Sequence, residues 1–193
     1  GFYDDIIKII KTLPDKRQSL MFSATMATKI RQLAKQILKN PEEISVAISK
    51  PAEGVTQKVI MAHEEQKVSL VQYVLGDKDD FNAIIIFCST KKKVERLARK
   101  LKQKGYSCQG ISSDYEQEAR EEALRDFRSG KTRIMVATDV ASRGLDIPDV
   151  MHVINYDLPN DLRKKKGEAI VRYCHRIGRT GRAGKTGVAT SFL

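Results

Sequence analysis

An α/β fold, a parallel sheet with helices on both faces, is predicted from three observations. From Val55 onward, short apolar runs suited to strands alternate with amphipathic stretches at helical spacing. One run, Ala83-Ile84-Ile85-Ile86-Phe87-Cys88, is apolar throughout, which suits a strand buried on both faces. Glycines stand just past two of the amphipathic stretches, Gly105 and Gly130, where a left-handed cap closes a helix. In such sheets ligands bind at the carboxyl ends of the strands.

Taken in order, Ile6, Ile7, Ile10 and Leu13 recur at helical spacing until Pro14 stops them. Gln18 to Phe22 reads as a short strand leading into Ser23-Ala24-Thr25. A second helix carries Ile30, Leu33, Ala34, Ile37 and Leu38 on one face and ends at Asn40-Pro41, and Glu43 to Ile48 reads as a possible strand. Ser49-Lys50-Pro51-Ala52-Glu53-Gly54 is the best linker in the chain, with Pro, Gly and no apolar residue larger than Ala. Beyond it, strands are expected over Val55–Ala62, Ala83–Cys88, Tyr106–Ile111, Arg133–Ala137, Val150–Asn155 and Val188–Phe192. Helices are expected over Gln66–Leu75, around Val94–Leu101, over Ala119–Phe127, and in a stretch ending near Arg176.

The chain has 193 residues, enough for one domain, or one domain and a piece of another. At 41% hydrophobic and 31% charged it has a globular composition, and no apolar run approaches the roughly 20 residues that span a bilayer. It opens at Gly1 with no basic-then-apolar leader, so no signal peptide is expected, and without Met, so a piece of a longer protein is. Cys88, Cys108 and Cys174 form no CxxC pair, and His63, His152 and His175 share no metal spacing. Neither a disulfide framework nor a metal site is expected, and a reducing cytoplasm fits. Thirty-five Lys and Arg against 24 Asp and Glu leave a net charge of +11, which favours a polyanionic partner, nucleic acid first.

Gly130-Lys131-Thr132 and Gly184-Lys185-Thr186 imitate the end of a phosphate loop. Both fail, because the position five before each Gly is Arg125 or Arg179 rather than Gly, and each is followed by a predicted strand, not a helix. With no Asp-Glu pair after a strand, this sequence does not contain a complete nucleotide hydrolysis site.

Two stretches carry the chemistry. In Tyr173-Cys174-His175-Arg176-Ile177-Gly178-Arg179-Thr180-Gly181-Arg182-Ala183-Gly184, three arginines stand three residues apart among glycines. Guanidinium groups fork onto phosphate oxygens, and glycines let backbone approach a ligand closely. An arginine so placed suits stabilisation of charge on a transferred phosphoryl group. In Ala137-Thr138-Asp139-Val140-Ala141-Ser142-Arg143-Gly144-Leu145-Asp146-Ile147-Pro148, hydroxyls, a cation, a glycine and a carboxylate follow the end of a strand. Each alone is ordinary turn chemistry; together they suggest a site for a sugar-phosphate backbone.

These stretches closely resemble motifs V and VI of the DEAD-box RNA helicases of superfamily 2. Ser23-Ala24-Thr25 resembles motif III, Ile86-Phe87-Cys88-Ser89-Thr90 motif IV, and Gln117-Glu118-Ala119-Arg120 the QxxR motif, all in the family's order. The resemblance implies a RecA-like, P-loop NTPase-like helicase domain 2 over residues 55–193, a linker at 51–54, and a C-terminal remnant of helicase domain 1 at 1–50. It implies an ATP-dependent RNA helicase whose ATP and Mg²⁺ are bound mainly by a first domain, since the family's P-loop, acidic motif and adenine-reading motif are absent from this sequence.

Residue by residue, Arg179 and Arg182 resemble the two arginines that face the ATP phosphates across the cleft, with Arg182 the finger. Asp146 resembles a carboxylate at the ATP ribose. Thr138, Arg143, Gly144, Gln117 and Arg120 resemble contacts to the RNA backbone. His175 resembles a residue that couples the nucleotide site to the other motifs, and Ser23 and Thr25 resemble the segment that links hydrolysis to strand separation. RNA is the implied partner, with no membrane.

The sequence departs from the family at Ser112-Ser113-Asp114, where His-Gly-Asp is common, which puts a backbone contact there in doubt. Asn160 to Arg172 is longer and more basic than usual, and Arg163 to Lys166 reads either as added phosphate attraction or as a solvated loop. Rival readings are a DNA helicase of the same superfamily, which usually lacks the leading His-Arg, and a basic RNA-binding module without an ATPase partner. A GTPase or kinase is disfavoured by the failed phosphate-loop spacings.

Overall fold

The computed structural model describes residues 3–23, 26, 28–44, 54–76, 83–142, 150–159, 166–182 and 184–193. The chain divides into two compact units, Gly1–Ile48 and Ser49–Leu193.

The first unit holds two amphipathic helices, α1 (Tyr3–Lys11) and α2 (Thr28–Ile37). Tyr3 Oη donates to Gln36 Oε1 at 2.8 Å, and Leu33 on α2 is buried. Gln18 to Phe22, expected as a strand, has no regular structure, and Leu20 and Phe22 are exposed. A strand needs a neighbour for its N–H and C=O groups, and among the described residues this unit has no other strand. Glu43 and Ile44 are likewise irregular, and 45–48, the rest of that expected strand, lie outside the described residues.

The second unit is a six-stranded sheet. Its elements are β1 (Val55–Ile60), α3 (Lys67–Leu75), β2 (Ile84–Phe87), α4 (Lys91–Gln103), β3 (Cys108–Ile111), α5 (Gln117–Arg128), β4 (Ile134–Ala137), α6 (Asp139–Ser142), β5 (His152–Asn155), α7 (Lys166–Ile177) and β6 (Gly187–Phe192). The spatial order is β1-β6-β5-β2-β4-β3, and every pairing is parallel.

Period-two alternation divides the apolar strands between two cores. Ile85, Phe87, Met135, Val153 and Ala189 face one layer with Ala123, Leu124 and Phe127 of α5 and Ile177 of α7. Ile84, Ile86, Ile134, Val136, Ile154 and Phe192 face the other with Val71 and Leu75 of α3 and Val94, Leu97, Ala98 and Leu101 of α4. Helices therefore cover both faces. The all-apolar β2 sits inside, paired with β4 and β5, and all four of its residues are buried.

Local signals explain the helix ends. Thr90, in an extended conformation, accepts from Lys93 N through Oγ1 at 3.3 Å and caps α4. Gly105 (φ 81°) and Gly130 (φ 78°) take up the left-handed conformation just past α4 and α5. The helix α6 was not foreseen: four residues are too short to show a period.

Beyond β2 the chain turns through α4 toward β3, whereas beyond β4 it crosses to β5 on β2's other side. Departures in opposite directions leave a crevice at the carboxyl ends of β2 and β4.

Candidate functional site

That crevice is a groove of about 440 Å³ lined by Ser89, Thr90, Lys91, Lys92, Ser113, Thr138 and Val140. Its walls come from the loops after β2, β3 and β4. The groove brings hydroxyls and lysines to one concave surface, next to the N-terminus of α4, whose dipole favours anions. A Lys91–Asp114 ion pair ties the β3 loop to the start of α4. In that loop Ser112 is fully buried and its Oγ accepts from Asp114 N at 3.4 Å, so Ser112-Ser113-Asp114 forms a tight turn with Ser113 on the groove.

Thr138 ends β4. Its Oγ1 accepts from Ala141 N at 3.3 Å and its carbonyl from Ser142 N at 3.1 Å, which starts α6. Gln117 and Arg120 lie one turn apart on α5. Arg120 Nη1 donates to Gln117 Oε1 at 3.3 Å, Gln117 Nε2 to Glu121 Oε1 at 2.9 Å, and Arg120 Nη2 to Ala141 O at 3.2 Å. Arg120 thus reaches across to α6, and Gln117 stays exposed.

The arginine-glycine segment begins at the end of α7. Gly178 N donates to Cys174 O at 2.8 Å, Arg179 N to Arg176 O at 3.1 Å, and Thr180 N to Ile177 O at 3.1 Å, so the helix closes with a tightened turn. Gly181 (φ 69°) reverses the chain, and Arg182 Nε donates to Gly178 O at 2.8 Å. Arg182 is exposed, Arg179 half-buried, and His175 exposed. Thr180 is fully buried, with Oγ1 donating to Met151 O at 3.3 Å. The two phosphate-loop look-alikes are turns entering β4 and β6, with Gly130 and Gly184 at positive φ.

Two features escaped sequence reasoning. Arg176 is buried to 3% exposure and makes a fork with the Asp139 carboxylate, at 2.6 Å from Nε and 2.7 Å from Nη2. Its Nη1 donates to Asn155 Oδ1 at 3.2 Å and to Asp157 O at 2.6 Å. The second is Asp157, whose carboxylate accepts from Ser89 N and Oγ, both at 2.8 Å, from Lys93 Nζ at 2.7 Å and from Lys67 Nζ at 3.3 Å. Glu64 joins both lysines, at 3.2 Å from Lys67 and 2.8 Å from Lys93. Burial alone would raise the Asp157 pKa, but the donors from Lys93 and Ser89 outweigh it and hold the carboxyl below its ordinary value. Lys93, despite its own burial, is raised by Asp157 and Glu64, and Glu64 is lowered chiefly by its Lys93 hydrogen bond. Asp157 thereby pins the Ser89 end of the groove. Its Tyr-Asp-Leu-Pro context is visible in the sequence, but its partners are 64 to 90 residues away.

Thr138 and Arg120 therefore contact α6, Gln117 stands exposed beside Arg120 on α5, and Arg179 and Arg182 follow α7. Ser23 is exposed in the first unit. Asp146, Arg143, Gly144 and Thr25 lie outside the described residues, as do residues 163–165 of the basic segment. Among the described residues, no three His, Cys, Asp or Glu side chains gather to hold a metal ion, and no helix is long and apolar enough to cross a membrane.

A parallel sheet with hydroxyl and lysine side chains around a groove at its carboxyl ends, followed by an arginine-glycine turn, defines a domain of the RecA-like type. The family profile described as the helicase conserved C-terminal domain matches residues 66–184. The chain is 43% identical over 194 residues to the ATP-dependent RNA helicase CshA of Listeria monocytogenes, covering 100% of this chain and 36% of that protein. It is 45% identical over 178 residues to DEAD-box ATP-dependent RNA helicase 21 of rice, Oryza sativa, covering 92% of this chain and 23% of the relative. Among solved structures, Saccharomyces cerevisiae Dbp5 bound to RNA and ADP BeF3 superimposes with a TM-score of 0.83 at 34% identity, covering 100% of this chain and 49% of that one. The C-terminal domain of the DEAD-box protein Dbp5 gives a TM-score of 0.64 at 36% identity over 73% of this chain and 77% of its own. The chain belongs to the helicase conserved C-terminal domain family and, within it, to the DEAD-box RNA helicases. It spans well under half the length of these curated relatives.

Proposed function

We propose that this chain is the C-terminal part of an ATP-dependent RNA helicase that couples ATP hydrolysis to local unwinding of RNA duplexes. The observation that carries the reading is the groove at the carboxyl ends of β2 and β4, where Ser89, Thr90, Lys91, Lys92 and Thr138 meet. Hydroxyls and ammonium groups suit phosphate and sugar oxygens and read no base edge, as an enzyme that acts on any sequence requires. The net charge of +11 supports the same polyanion.

Thr138, Arg143, Gly144, Gln117 and Arg120 contact the RNA backbone in this reading. Arg179 and Arg182 face the phosphates of ATP, with Arg182 as the finger, and Asp146 meets the ribose. The chemistry of that segment fits a polyphosphate: an exposed guanidinium and a half-buried one, held by a turn that Gly181 makes possible. In this reading ATP closes the two domains and brings the finger to its phosphates, so that hydrolysis is coupled to RNA binding. Mg²⁺ is held mainly by a first domain, of which residues 1–50 are the C-terminal end. Residues 51–54 are the linker, and 55–193 the second RecA-like domain. Ser23, Thr25 and His175 transmit between the sites. The exposed Leu20 and Phe22 support this division, because an apolar segment from a larger sheet is left uncovered outside it. The three cysteines are free thiols, which supports a reducing, cytoplasmic setting.

The test is ATP hydrolysis by the full-length protein, with and without single-stranded RNA, beside its Arg182→Ala variant. RNA should stimulate turnover, and the variant should lose it by ~10³-fold or more. RNA binding with no turnover in either protein would overturn the enzymatic reading in favour of a binding module.

A further inference from the structure

The outer face of α4 is charged against its own folding preference. Seven of its thirteen residues are Lys or Arg, and Glu95 is its one acid. Val94, Leu97, Ala98 and Leu101 bury the inner face, which leaves Lys92, Arg96, Arg99 and Lys102 exposed on the outer one. Lys92 stands four residues before Arg96, and Arg99 three after it, so like charges adjoin along one line of the surface. Such pairs destabilise a helix. The first turn holds no acid, although the helix dipole favours one there. Lys91 is tied to Asp114, and Lys93 to Asp157 and Glu64. Among the described residues, no ion pair answers Lys92, Arg96, Arg99 or Lys102.

This face continues the groove. Lys92 lines the groove at the N-terminus of α4, and Arg96 and Arg99 follow one and two turns further along the helix. Side chains one turn apart stand about 5–6 Å from each other, comparable with successive phosphates along a nucleic-acid strand. From Lys92 to Arg99 the helix rises about 10 Å. The apolar residues of α4 all face inward, so the outer face has no anchor of the kind that forms the core of a protein interface, and no apolar side to lay on a membrane. Ammonium and guanidinium groups at regular intervals suit a phosphate backbone instead.

We propose that Lys92, Arg96 and Arg99 form a second phosphate track, which holds the backbone of RNA that runs out of the groove along α4. This inference rests on the helicase reading above and adds to it a binding surface outside the groove. The track strengthens the grip on long RNA and reads no base.

The experiment measures Kd for two labelled single-stranded RNAs with the full-length protein over a range of salt concentrations. One RNA, of about 6 nucleotides, fills the groove, and the other, of about 20, extends past it on both sides. The variant combines Arg96→Gln with Arg99→Gln and leaves Lys92 and the groove intact. Each phosphate contact to a single strand contributes about 0.7 to the slope of log affinity against log salt. Two lost contacts should therefore flatten the slope for the long RNA by about 1.4, while Kd for the short RNA stays within about twofold. Arg96→Lys combined with Arg99→Lys keeps the charge and should keep the slope. The urea midpoint of the glutamine variant should not fall, because like charges have left an exposed face. An unchanged slope for the long RNA would overturn the proposal and assign the face to an acidic protein. Equal flattening for both RNAs would overturn it too, since the arginines would then act on the groove through a general field. Failure of the helicase reading shows separately, as RNA binding without ATP turnover in the wild type, and leaves the track standing.

Discussion

His152 makes the stability of the second unit depend on pH in a calculable way. It begins β5, is 2% exposed, and its Nε2 lies 2.9 Å from Thr190 Oγ1 of β6. Burial, and secondarily the positive charge of Lys58 on β1, lower its pKa from 6.5 to about 4. In the unfolded chain the imidazole protonates below pH 6.5; in the folded chain it stays neutral until pH is near 4. Between these values unfolding takes up a proton, so stability is full above 6.5 and is lost as pH falls. One pKa unit corresponds to about 1.4 kcal/mol, and integration from pH 7 to pH 5 gives a loss of about 2 kcal/mol, rising to about 3 near pH 4. Asp157 and Glu64, both held below ordinary carboxylate values, titrate beneath most of that window. The assay is urea unfolding at pH 7 and pH 5 for the wild type and His152→Gln. The variant's absolute stability is immaterial; its loss between the two pH values should shrink by about 2 kcal/mol. An equal loss in both proteins would refute the assignment.

Two further outcomes are expected. A Cβ at Gly187 would stand 2.1 Å from Thr180 Oγ1 and 2.9 Å from Gly181 N. Gly187→Ala should therefore displace the 179–182 turn and cost roughly 1–3 kcal/mol in urea unfolding, and an unchanged midpoint would show that the turn yields freely. Asp157→Asn leaves Lys67, 12% exposed, and Lys93, 33% exposed, facing an amide. With Glu64 still present, the loss is expected to be about 2 kcal/mol at pH 7. The carboxylate's contribution is present above 3.8 and is lost as pH falls through its lower folded value. The gap to wild type should close below pH 3.8, and a gap that persists in strong acid would count against the ion-pair account.

Much of the architecture was legible because its causes are local. The apolar run at 83–88, the helical period of Val94, Leu97, Ala98 and Leu101, and the glycines at 105 and 130 each report a physical constraint within a few residues. The arginine-glycine segment and Thr138 were legible for the same reason, as chemistry at adjacent positions. Gln18 to Phe22 misled because strand propensity is local while a ladder is not: with no neighbouring strand among the described residues of its unit, the segment is irregular.

The sequence by itself determined the class of fold, the order of its elements and the positions of its guanidinium groups, all of which follow from periodicity, backbone freedom and side-chain type. Spacing and side-chain type did not distinguish Arg176 from Arg179 and Arg182, three arginines at equal intervals, and the family resemblance gave Arg176 no role. Only the tertiary structure decided that the first is buried against Asp139 and Asn155, while the last stays in solvent. Only the tertiary structure made His152 a neutral core residue and joined Asp157 to Ser89, Lys67 and Lys93. Burial and charge pairing arise when strands and helices distant in sequence close on one another, and no local pattern encodes which of them will meet.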